Sequence, residues 1–490
     1  MPPKKAKTTS SPSVNLVQKF KDLKLHTNDE EEDYDEQPFI LSATVQTEHK
    51  SSNYGCAFNP YADDPREDQL VATVGGEYLH VFHCPPDTNH LVPLKAWHFP
   101  TDNQPKEGGK QLTEQLFSVS WAADSYEDRN GRSELRLVAG GQLGKLYVVD
   151  YGTMAHCNTL HCTGGEINEI RVSPANSDLI AVASSDMALR IFHIRNSACL
   201  VVIGGPKCHQ GNILTVDWHY TGDYIISAGI DHRAIKWDLA APPVKKHIDR
   251  ICEALKSGEQ NQFEPVQPTN DKELEAAYAK SQQHLEEVLG KELKVSDVDV
   301  KTDPRAAIRD VANNFAEHFD KSVIYPIYLP NAVANDIHFN AVDCVRVLSG
   351  VDRIMSKSVD STLTLWRFGP PMHQQVNPIP QRIDAPETCT TVLQTRDLGD
   401  ADPPFFIKFD IDPRRRWIAC PGREGSLSFY DMRNPKPEAH LILRSGNHTL
   451  RQAAFSPCGR FVVVVCDGSL ITRFDRVHAS VDQNKLKEFC

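Results

Sequence analysis

The sequence predicts an all-β fold, a seven-bladed β-propeller with a helical insertion between blades four and five and a disordered N-terminal tail. Three observations carry that prediction. From Phe39 onward, short alternating apolar runs broken by Gly, Asp, Asn and Pro recur, the mark of many short antiparallel strands. One stretch, ILTVDWHYTGDYIISAGIDHRAIKWD, sets out a whole unit: a strand, a turn, a second strand, a tight turn at Asp231 and a third strand ending in Trp237-Asp238. Set against this unit, the remaining segments give seven repeats in all, and repeats of this kind close into rings of four-stranded blades.

The units follow the WD40 pattern. A third-strand apolar residue falls at Phe82, Val149, Phe192, Trp237, Trp366, Tyr430 and Phe474. Six residues before each lies the tight turn, at Gly76, Leu143, Asp186, Asp231, Asp360, Glu424 and Gly468. A tight turn favours small or acidic residues, and only Leu143 departs from that, with Gly144 beside it to supply the turn. Two units carry a further set, His209, Ser227, Asp231, Trp237 and His338, Ser356, Asp360, Trp366, with the same spacings of 18, 4 and 6. In WD40 repeats, which these units resemble, such a set forms a hydrogen-bonded chain inside a blade, and because it recurs as a blade element it does not read as a hydrolase triad.

The interval from Trp237 to Trp366 greatly exceeds one repeat of about 40 to 45 residues, which places an insertion at about 242–325. Within it, Ile248, Ile251, Cys252 and Leu255 share a helical face after two prolines and before Gly258. Leu274, Tyr278, Leu285, Val288 and Leu289, then Ile308, Val311, Phe315 and Phe319, predict two more helices. Residues 1–37 are polar and charge-segregated, too poor in apolar groups to order themselves. Lys4, Lys5 and Lys7 in that tail fit either a nuclear import signal or a solvated basic end. The strand FILSATVQTEH, residues 39–49, precedes the first unit, and the last unit lacks an outer strand, so pairing the two closes the ring. The organisation is thus tail 1–37, closing strand and blades one to four over 38–241, insertion 242–325, blades five to seven over 326–480, and a C-terminal tail 481–490.

The formal net charge of -12 argues against a body wrapped in nucleic acid. The 13 cysteines are scattered without a CxxC pair and read as reduced, buried hydrophobes. The spacings of Cys157, His161, Cys162, Cys208 and His209 fit no zinc pattern, so neither a metal nor a cofactor is expected. No apolar run reaches the roughly 18 residues of a membrane span. GGQLGK, Gly140 to Lys145, resembles a shortened phosphate loop but lacks a spacer and the Ser/Thr, and it precedes a strand. With no GxSxG and no HExxH either, the sequence offers no reaction class, and no enzyme is expected.

The informative site comes from register. Four residues before the anchor of each first strand stand Tyr54, Phe117, Asn168, Leu214, Asp343, Phe405 and Arg451, one equivalent position at the mouth of the central channel. Closure of the ring makes Phe405, Arg451, Tyr54 and Phe117 neighbours, with Phe406 beside the first. Such a group of aromatic faces either cages a quaternary ammonium or plugs the channel. In the cage reading Arg451 holds peptide carbonyls, and Asn168 and Asp343 hold polar groups of the same peptide.

The runs GGPKCHQGNILTVDWHYTGDYIISAGIDHRAIKWDL, DIHFNAVDCVRVLSG and LRQAAFSPCGRFVVVVCDGSLITRFDR, with GGEINEIRVSP and SSDMALRIFHI, carry a resemblance. Over about residues 39–476 the chain resembles the embryonic ectoderm development / Extra sex combs family, the WD40 subunit of Polycomb repressive complex two. The resemblance implies a trimethyl-lysine cage at Tyr54, Phe117, Phe405 and Phe406, with Arg451 as a peptide contact. This chain departs from the family in having Phe405 in place of a Trp and Phe406 in place of a Tyr. The resemblance further implies a nuclear, non-catalytic subunit. It would grip a helix of a SET-domain histone methyltransferase on one propeller face, join further complex subunits and bind the trimethylated histone H3 tail on the other face, stimulating the enzyme. The competing expectation is a generic WD40 adaptor, in a ubiquitin ligase or another chromatin complex, that binds no methylated peptide.

Overall fold

The computed structural model describes residues 38–477 apart from 63–68, 102–105, 108–109, 112, 128–132, 162–163, 195–197, 257–323, 370–388, 400–402 and 435. The expected N-terminal and C-terminal tails and the second and third helices of the insertion lie outside the described residues.

Seven sheets of four or five strands form the blades. Blade one runs from its innermost strand Asn53–Phe58 outward through Leu70–Gly75, Tyr78–His83 and Val92–His98. The innermost strands of blades two to five are Leu116–Glu127, Ile167–Val172, Ile213–Trp218 and Val342–Val347. Those of blades six and seven are Asp410–Ile411 and Leu450–Phe455. Between consecutive blades the facing side chains form apolar clusters, such as Trp121, Leu137 and Val149 against Val74, Leu79 and Val81. A sheet buried on both faces needs continuous apolar strands, and IAVAS, YIISAG and FVVVVC supply them.

Each blade turns its second strand into its third through a residue with positive φ. Gly76, Gly144, Met187, His232, Ser361, Glu424 and Gly468 lie at or one residue beyond the turn positions that the spacing picks out. Gly144, with φ 66°, supplies the turn beside Leu143. The two four-residue sets are bonded as blade elements. Trp237 Nε1 donates to Ser227 Oγ at 2.8 Å, that hydroxyl bonds His209 Nε2 at 2.8 Å, and Nδ1 bonds Asp231 at 2.9 Å. Trp366, Ser356, His338 and Asp360 repeat it at 2.8, 2.7 and 3.2 Å.

The ring closes through the N-terminal strand. Phe39–Gln46 pairs antiparallel with Leu470–Arg476, from Phe39 opposite Arg476 to Gln46 opposite Leu470, and forms the outer strand of blade seven.

The insertion begins at Pro242, where the spacing places it, and blade four is completed only after it. The third strand of blade four, Ala234–Asp238, pairs with Ala332–Ala334, so the chain leaves before the blade is complete and returns as its fourth strand. A three-residue strand has too little pattern to be seen without its partner. Just before it, Tyr325–Ile327 pairs parallel with Ala198–Ile203 as a fifth strand on blade three. The helix Pro242–Lys256 opens the insertion. Asp238 Oδ1 accepts the N–H groups of Ala240 at 2.9 Å and Ala241 at 3.2 Å, turning the chain into the helix. Val244, Ile248, Ile251 and Cys252 are buried against Trp237, Leu239 and Leu200, with Tyr325 and Ile327 at the margin. The helix therefore packs on the ring, as an amphipathic helix must.

Candidate functional site at the channel mouth

The seven positions selected by register share a backbone feature that the sequence did not reveal. In six blades the pairing of first and second strands slips by one residue at that point, leaving Tyr54, Phe117, Asn168, Leu214, Asp343 and Arg451 out of the ladder. A bulge re-aims the side chain of the residue it frees. Blade six achieves its own deviation at Phe406, which has φ 62°. A phenylalanine in that region is strained by about 1–3 kcal/mol and persists only where its surroundings hold it.

Tyr54, Phe117 and Phe406 converge. Their ring centroids are 5.2 Å apart for Tyr54 and Phe117, 6.2 Å for Tyr54 and Phe406, and 5.7 Å for Phe117 and Phe406, all at steep interplanar angles of 83°, 73° and 62°. Gly55 permits the approach of blades one and two, since a Cβ there would lie 2.7 Å from the Phe117 carbonyl oxygen. Phe405, the residue that register selects, stands outside the triangle, 6.2 Å from Phe406 and 45% exposed. Phe406 is 8% exposed, so the left-handed turn makes it the inner wall and Phe405 the rim.

Arg451 is pinned beside this group. Its Nε and Nη2 donate to the Asp467 carboxylate at 2.9 and 2.7 Å, its Nη1 donates to the Phe405 carbonyl at 2.8 Å, and its guanidinium lies 5.4 Å from the Tyr54 ring centroid. Burial opposes its charge, but the Asp467 carboxylate outweighs burial and raises its pKa.

Asn168 and Asp343, expected as peptide contacts, are instead buried and bonded within the ring. Asp343 is fully buried, receives Lys357 Nζ at 3.1 Å on both oxygens and accepts the Ile407 N–H at 3.0 Å. Asn168 donates to the Ile213 carbonyl at 2.7 Å. Next to these positions the inner strands carry buried charge pairs. Glu169 accepts from Arg346 at 3.0 Å, Lys408 at 3.4 Å and Thr215 at 2.5 Å. Burial alone would raise its pKa, yet Arg346 and Lys408 bring it down to about 2.

The arrangement brings together aromatic faces, an arginine held by Asp467 beside them and buried charge pairs on the inner strands. Residues 199–238 match the WD domain, G-beta repeat. The chain is 41% identical to the Polycomb protein mes-6 of Caenorhabditis elegans over 479 residues, covering 96% of this chain and 99% of that protein. The chain belongs to the Polycomb family of Extra sex combs-type WD40 proteins. The Polycomb protein esc of Drosophila melanogaster is 24% identical over 440 residues, covering 88% of this chain and 83% of the relative. A chain of the Chaetomium thermophilum polycomb repressive complex 2 crystal structure shares the fold, with a TM-score of 0.61 at 17% identity, covering 90% of this chain and 98% of that one. This Polycomb propeller is not an enzyme.

Proposed function

We propose that this Polycomb propeller is a nuclear, non-catalytic scaffold and methyl-lysine reader of a histone H3 methyltransferase complex. In this reading the channel mouth binds the trimethyl-lysine product, and that binding stimulates a SET-domain catalytic subunit held through a helix on the propeller. The observation that carries the reading is the convergence of Tyr54, Phe117 and Phe406, with Phe405 at the rim. A quaternary ammonium is attracted to ring faces within about 6 Å of their centroids. Phe117, Phe405 and Phe406 offer no acceptor to an ammonium N–H, which favours the trimethylated state over hydrated lysine. Assembly in such a complex is further supported by a family that includes mes-6 and esc, both Polycomb proteins.

Titration of trimethylated and unmethylated H3 peptides tests the reading. The expected result is weak binding, micromolar or weaker at about -8 kcal/mol, with at least several-fold preference for the trimethylated peptide. Phe117→Ala should abolish that preference while leaving folding intact. Equal affinity for the two peptides would make the aromatic group a channel plug. Co-expression with a SET-domain methyltransferase should give one peak on size exclusion, and separate elution would reject the scaffold role.

A further inference from the structure

Blade six contributes half of the aromatic group, yet it does not hold that half itself. Its innermost strand is only Asp410–Ile411, paired with Ala419 and Ile418. The segment Phe405–Phe409 precedes it, and the bonds that restrain this segment come from other blades. Ile407 N–H donates to Asp343 of blade five, Lys408 N–H donates to the Arg451 carbonyl at 2.8 Å, and Ala453 N–H returns to the Lys408 carbonyl at 3.0 Å.

The Lys408 side chain extends this tether across the channel. Its Nζ donates to the Leu214 carbonyl of blade four at 2.5 Å and to the Asp343 carbonyl of blade five at 2.6 Å, and it lies 3.4 Å from Glu169 Oε2 of blade three. The same ammonium is 5.0 Å from the centroid of the Phe406 ring. A lysine ammonium has three donors, and here three acceptors from three blades meet it. Withdrawing it would leave the two carbonyls short of a donor and Glu169 short of one cation, so the buried charge is locked in place. Two residues before it, Phe406 holds a conformation that a phenylalanine leaves when unrestrained.

We propose that Lys408 is a positioning residue of the channel mouth. Its ammonium, anchored on blades three, four and five, holds Phe406 in the left-handed conformation that turns its ring toward Tyr54 and Phe117. This inference rests on the methyl-lysine reading only for its consequence in binding, because the placement of the ring is measurable without a peptide. Lys408 touches no peptide and acts through Phe406.

The experiment places 4-fluorophenylalanine at position 406 of the full chain and records fluorine NMR for the otherwise wild-type protein and for Lys408→Met. One narrow resonance is expected with Lys408 present, and a broadened or divided one in the variant. Affinity of the unlabelled Lys408→Met protein for the trimethylated H3 peptide should fall on the order of tenfold, since ordering the ring is then added to the cost of binding. If Lys408→Met does not fold, Lys408→Arg is measured instead. It keeps the charge, but its planar fork does not meet the same three acceptors, so the same broadening is expected. A narrow, unshifted resonance in the folded variant overturns the proposal. If the wild type shows no preference for the trimethylated peptide, the reader function fails, while the fluorine line shape still decides whether Lys408 positions the ring.

Discussion

At the scale of single residues, buried polar groups do two different things in this ring. In blades four and five they form complete chains of donors and acceptors, and Ser227 is the middle link of one. Ser227→Ala would leave both the Trp237 N–H and one His209 nitrogen without a partner, so it should lower unfolding free energy by about 1–3 kcal/mol, measurable by chemical denaturation. Blade one does not repeat that chain: Glu77 accepts from Thr101 at 2.5 Å and bonds His98 at 3.2 Å. His49 stacks on Tyr78 and His80, and burial lowers its pKa and that of His80. Glu169 is the charged counterpart. Its pKa falls from an ordinary 4.5 to about 2, so its contribution is complete above the unfolded value and is lost as pH drops from about 4.5 through 2. Glu169→Gln should cost about 3 kcal/mol at neutral pH by leaving buried cations underpaired. That penalty should shrink across the same acidic window, and a pH-independent difference between the two proteins would reject the assignment.

At the scale of elements, what the sequence made legible depended on length and period. The seven turn positions, the closing strand and the helix opening the insertion each carry a long or repeated signal. The return strand Ala332–Ala334 and the shortened inner strand of blade six do not, so the sequence does not show that blade four is completed after the insertion. The channel mouth was legible to the level of register, which selected Phe405. The inner placement of Phe406 and the outer one of Phe405 follow from one left-handed residue, for which no glycine gave warning. Register also selected Asn168 and Asp343, whose bonding to Ile213 and Lys357 is a property of side-chain reach across the ring. The helix Pro242–Lys256 admits a direct test. Ile251 is 0% exposed among the side chains joining blades three and four, so Ile251→Ala should cost about 2–5 kcal/mol. Limited proteolysis should then cut within 244–257 faster than in the wild type, and equal protection would mean that the helix contributes little to the ring.

At the scale of the whole molecule, a propeller has two ends of chain to join, and its stability depends on how they are fastened. The fastening here is both a strand and a side chain. Phe39–Gln46 satisfies the edge of Leu470–Arg476, which would otherwise offer unpaired N–H and C=O groups to another chain. Phe39 then reaches past its own blade. Fully buried, it stacks on Phe429 of blade six at 4.3 Å and meets Trp417 at 6.1 Å and Phe455 of blade seven at 6.0 Å, both edge-on. Closure therefore couples blade six, which supplies Phe405 and Phe406, to blade seven, which supplies Arg451, so a failure of the fastening should be felt at the channel mouth more than 350 residues away in sequence. Phe39→Ala should cost about 3–5 kcal/mol while leaving the strand pairing in place. A chain lacking residues 1–46 should lose cooperative melting and self-associate through the bare edge, and the peptide FILSATVQ added in trans should restore a monomer with its original transition. If the truncated chain melts unchanged as a monomer, the strand is an accessory and the ring is held by its other interfaces alone.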